Sequence, residues 1–94
     1  MKKYRTTEYY QLKKIPGQIM LLPVGTKASV LQGAIALNEL SAFVWQELRD
    51  AKTLDEVICA IEDNYDTEGE DVRAHIILLL KSFEEYEVIV VNPV

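Results

Sequence analysis

Between Ala34 and Leu48 the chain changes its hydrophobic period, and this change limits the fold more than any other feature of the sequence. Ile35 and Leu37 alternate with Ala34 and Ala36, the period of two expected of a strand with one buried face. Beyond the switch, Leu40, Val44, Leu48 and Ala51 recur at helical spacing, with Phe43 and Trp45 flanking the stripe. Asn38 stands between the two patterns as a helix N-cap, its side-chain oxygen available to an unpaired amide of the first turn. A strand therefore passes into a helix through a single residue.

Other elements can be placed around this junction. Tyr10–Ile15 alternates imperfectly, Pro16-Gly17 marks a tight turn, and Gln18–Leu22 continues the apolar pattern, which predicts a β-hairpin over residues 10–23. Pro23–Gln32 reads as a surface loop before a third strand at Gly33–Leu37. Residues 1–9 carry no apolar period, so fraying is expected there and order near Tyr9. Leu54, Val57, Ile58, Ile61 and Tyr65 form a helical stripe opened by a Thr53/Glu56 capping box. A second such pattern, Thr67 with Glu70, predicts a third helix running to about Tyr86. Val88–Val91 is β-branched and too short for a helix, hence a terminal strand or extended tail. The expected fold is α+β, a three-stranded antiparallel sheet followed by three helices, in the manner of a winged helix-turn-helix.

Ninety-four residues support one domain over 1–94, with no room for a separate catalytic unit. A single cysteine excludes an internal disulfide framework and points to a reducing, cytoplasmic setting. The longest apolar run, Ile76–Leu80, is far short of the roughly 20 residues that span a bilayer. A net charge of −5 opposes binding to a phosphate backbone, so nucleic acid is not an expected partner. Basic residues gather toward the N-terminus, and acids outnumber them from Asp50 onward. These acids suit solvated helix faces and helix N-termini, or the steering of a basic partner.

The third helix carries more apolar surface than one core-facing stripe needs. Val72, Ile76, Leu79, Phe83 and Tyr86 make the stripe, while Ile77, Leu78 and Leu80 extend it around the cylinder. A homodimer interface and a peptide groove would each use the surplus. Gly33 and Ala34, being small, leave backbone access open to an incoming strand or allow tight packing on a helix. His75 is the only histidine, and its spacing from Cys59 suits neither a metal site nor a Cys/His catalytic pair. His75 fits a solvated helix position or the border of a groove, Cys59 an inert thiol, and Trp45 a core anchor. No catalytic residue, cofactor or metal ligand is expected.

The pattern L-N-x-x-(small)-x-x-(aliphatic)-W-x-x-L, from Leu37 to Leu48, resembles the PqqD family of peptide-binding domains, the RiPP recognition elements. The hairpin, the Gly33–Asn38 strand, the helix start at Thr53–Ile58, the turn at Tyr65-Asp66 and the long third helix extend the likeness over most of the chain. Glu87 departs from it, standing where relatives often turn through Gly. The resemblance implies that the leader of a precursor peptide adds as a strand beside Gln32, Gly33, Ala34, Ile35, Ala36 and Leu37. It implies too that the leader lies against the third helix at Val72, Arg73, Ile76 and Leu80. The implied partner is a modifying enzyme, in this family often a radical S-adenosylmethionine enzyme. The rival readings are a winged-helix DNA-binding regulator, disfavoured because Arg73 and Lys81 are the only basic residues of the third helix, and a dimerisation module.

Overall fold

The computed structural model describes residues 2–25, 33–67 and 71–93. Strands β2 (Tyr10–Ile15), β3 (Gln18–Pro23) and β4 (Ile35–Leu37) form a three-stranded antiparallel sheet in that order. Helices α1 (Glu39–Glu47), α2 (Leu54–Asn64) and α3 (Val72–Glu85) follow it, and the fold is α+β. The hairpin turns at Pro16-Gly17, pairing Ile15 with Gln18 and Tyr10 with Pro23, and Gly17 takes the positive φ of 78° that such a turn requires. β4 pairs Ile35, Ala36 and Leu37 with Leu21, Met20 and Ile19. Ile35 and Leu37 accordingly pack on the core, while Ala36 is exposed.

The chain ends join outside this sheet. β1 (Lys2–Thr6) pairs antiparallel with β5 (Ile89–Pro93), making a two-stranded ribbon that leaves winged helix-turn-helix a loose description. The expectation that order begins near Tyr9 is corrected: residues 2–6 form a strand whose partner lies over 80 positions away, a pairing that no local period reveals. Tyr4 also exchanges both backbone hydrogen bonds with Lys52, at 2.7 and 3.0 Å, and the Thr6 amide donates to the Leu48 carbonyl at 2.9 Å. The ribbon is thereby sewn onto the α1–α2 connection.

Two caps are as expected. Asn38 Oδ1 accepts from the Ser41 amide at 2.7 Å, and Thr53 and Glu56 form the reciprocal capping box. Donation by the Thr53 amide holds the Glu56 carboxyl below its usual pKa. α3 differs. Its N-cap is Asp71, whose carboxylate accepts from the Ala74 amide at 3.1 Å, and the helix starts at Val72. Thr67 therefore does not cap it, and Glu70 lies outside the described residues. The third strand is also shorter than expected, with Gly33 and Ala34 exposed ahead of it.

Leu21, Val44, Leu48, Val57, Ile61, Ile76, Leu80, Phe83 and Val88 fill the core between sheet and helices. Trp45 is buried and donates its indole N–H to the Val88 carbonyl at 3.2 Å, tying α1 to the entry of β5. Burial raises the Tyr10 phenol above its ordinary pKa, and the charge of Glu87 adds to this. Glu87 adopts φ 60° between α3 and β5, so the turn uses the left-handed conformation that glycine favours, with a glutamate in place.

Candidate functional site

β4 is an edge strand. Among the described residues it pairs with β3 alone, so alternate N–H and C=O groups along its other side have no strand partner. Its side chains fix its attitude: Ile35 and Leu37 are held inward, and exposed Ala34 and Ala36 leave the backbone uncovered. Asn38 ends the strand and starts α1 in one step, which places Leu40 of the first helical turn close to the strand end.

Leu40 lines one wall of a cleft of about 230 Å³, where the start of α1, the end of α2 and the start of α3 converge. Ile61, Val72 and Ile76 line it with Leu40, and Tyr65, Asp66, Thr67 and His75 complete the lining. Tyr65 is braced edge-to-face against Phe43, with ring centroids 5.3 Å apart. The lining is thus apolar below and polar around the mouth. Glu62 and Asp63 stand in the last turns of α2, which holds no basic residue there. These carboxylates add to the negative end of the helix dipole and make the neighbourhood of the cleft electronegative.

The anticipated residues do not all meet here. Val72 is half-buried and lines the cleft. Ile76 also lines it but is 1% exposed, a floor rather than a contact arm. Leu80, 2% exposed, is a core residue one turn further on. Arg73 is turned toward α2 and forms an exposed ion pair with Asp55 at 2.6 Å. Gln32 lies outside the described residues. The apolar surplus of α3 resides instead on Ile77 and Leu78, which are exposed, and Tyr86 is exposed as well.

The sequence pattern marked Leu40, Ile61 and Tyr65 only as parts of core stripes. Leu40 and Tyr65 lie at helix ends, where a stripe runs out of core to cover, and that is the signal that could have placed them at a cleft; Ile61 is a core residue that forms part of its floor. Cys59 is exposed, and no group of three His, Cys, Asp or Glu side chains suited to a metal ion occurs among the described residues. No helix among them is long and apolar enough to cross a membrane.

The family model described as coenzyme PQQ synthesis protein D (PqqD) matches residues 16–89. The chain belongs to the PqqD family. The match takes in β3, β4 and all three helices, and so includes the β4 edge and the cleft. It leaves β1, β2 and most of β5 outside, so the ribbon of chain ends is not part of what this chain is matched on as a PqqD-family protein. No curated protein and no solved structure gives a significant match.

Proposed function

We propose that this PqqD-family protein binds the leader segment of a ribosomally made precursor peptide and presents it to a modifying enzyme, contributing no catalytic residue or cofactor itself. The unpartnered edge of β4, joined through Asn38 to the helix whose Leu40 lines an apolar cleft, is the observation that carries the reading. An extended leader pairs with the backbone from Ala34 to Leu37, which supplies affinity largely independent of sequence. Specificity comes from one apolar side chain seated on Leu40, Val72 and Ile76, with Tyr65 and His75 at the mouth. The acidic end of α2 favours a leader with Lys or Arg next to that anchor. Membership of a coenzyme-synthesis family supports a biosynthetic role, with the chemistry residing in the enzyme, a radical S-adenosylmethionine enzyme being the class the family resemblance implies, and the single cysteine supports a reducing, cytoplasmic setting. The net charge of −5 supports a peptide rather than a nucleic acid as partner.

Hydrogen exchange on the full chain, with and without a synthetic leader peptide, tests the reading. Amides on the free side of β4 are expected to exchange readily alone and to become protected with peptide. The amides of Ala34 and Ala36 point to the same side, and the register puts that side at the free edge, so proline at either position removes a donor and should sharply weaken binding. Unchanged exchange along β4 together with new protection elsewhere would show that the peptide docks by another mode.

A further inference from the structure

We propose that two copies of this chain associate through the outer edge of β5, antiparallel about a two-fold axis, joining their β1–β5 ribbons into one four-stranded sheet. β5 has β1 on one side and no strand on the other among the described residues. β1 is already bonded on its far side to Lys52 and Leu48, so β5 is where the ribbon can grow. Val90, in the β-branched run Ile89-Val90-Val91, is 36% exposed, whereas Val88 and Ile89 are buried. Val90 is thus the natural centre of the pairing, facing its own copy across the axis.

Charge selects the second copy as occupant. The ribbon is basic at one end, where Lys2 pairs with Pro93, and acidic at the other, where Glu87 precedes β5 and Glu84 and Glu85 close α3. None of these four charged side chains is in an ion pair among the described residues. With Val90 opposite Val90 of the second copy, Pro93 of one copy lies past the Ile89 end of the other copy's β5, next to the turn that holds its Glu87. Lys2 is then two strand spacings away, about 10 Å, within reach of the two long side chains together. The symmetry makes this contact twice. Pro93 lacks an amide donor and the ribbon is short, so the association is weak and depends on concentration.

Sedimentation of the full chain from micromolar to millimolar concentration reads the association. A reversible monomer–dimer equilibrium is expected, weakened about tenfold by Val90→Asp and roughly threefold or more by Lys2→Glu or Glu87→Lys, with helical content unchanged. Combining Lys2→Glu and Glu87→Lys in one chain should restore it, because both symmetric contacts are then re-formed with reversed sign. Leu78→Asp, on the exposed face of α3, should leave it intact. A monomer at every concentration, a dimer lost with Leu78→Asp but not with Val90→Asp, or no recovery in the double charge reversal would overturn the proposal.

Discussion

Asn38 is the residue on which the strand-to-helix switch turns. Its side chain satisfies the Ser41 amide at 2.7 Å, in a position with no other capping group. Asn38→Ala should cost about 1 kcal/mol, read as a lower denaturation midpoint with unchanged slope. Ile76 and Val72 separate core from cleft although they share a helix face. Ile76→Asp buries an unpaired charge at a site 1% exposed and is expected to abolish folding. Val72→Asp meets water at the cleft and should leave helical circular dichroism intact while weakening leader binding about tenfold or more. Loss of structure in the Val72 variant, or normal binding by it, would contradict the cleft assignment.

Among the elements, α2 shows how far local sequence reaches. Its apolar stripe and its capping box both lie within residues 53–65, so its start at Leu54 was legible from Thr53 and Glu56 alone. The start of α3 was not, because Thr67 with Glu70 and the bare Asp71 are competing caps, and only packing decides between them. Burial on α3 was half legible for a related reason. The stripe through Ile76 and Phe83 is where the sequence places it, but which neighbours turn inward depends on where α2 and β5 lie, so Leu80 is core while Leu78 is 63% exposed. The α2 cap also has a pH signature. Its hydrogen bonds lower the Glu56 pKa in the folded protein, so the stability it adds is present above the unfolded carboxyl value, near 4.3, and fades as pH falls through the folded one. Glu56→Gln should flatten the acid limb of a stability-versus-pH curve relative to the native protein; an unaltered limb would show that the capping carboxylate is not what that limb reports.

At the scale of the whole molecule, the Cα trace spans 41 × 37 × 19 Å, a slab only one sheet and one helix layer deep. Charge is divided across it: residues 1–49 hold seven Lys and Arg against three acids, and residues 50–94 hold three against twelve. The sheet side is thus basic and the helical side acidic. A slab this thin cannot enclose its chain ends, and the β1–β5 ribbon closes it by joining them. Deleting residues 1–6 removes the partner of β5 and leaves the Lys52 amide and carbonyl and the Leu48 carbonyl without their Tyr4 and Thr6 partners. The unfolding midpoint should then drop by more than any single helix cap is worth, and an unchanged midpoint would mean that the ribbon does not contribute to stability. Trp45 turns this arrangement into an instrument. It is the only tryptophan in the chain, and its indole reports on the Val88 carbonyl at the root of the ribbon rather than on the cleft. Intrinsic emission will therefore follow release of the chain ends and stay nearly silent when a leader is added, so a spectroscopist who relied on it would overlook the binding event and record the fraying with high fidelity.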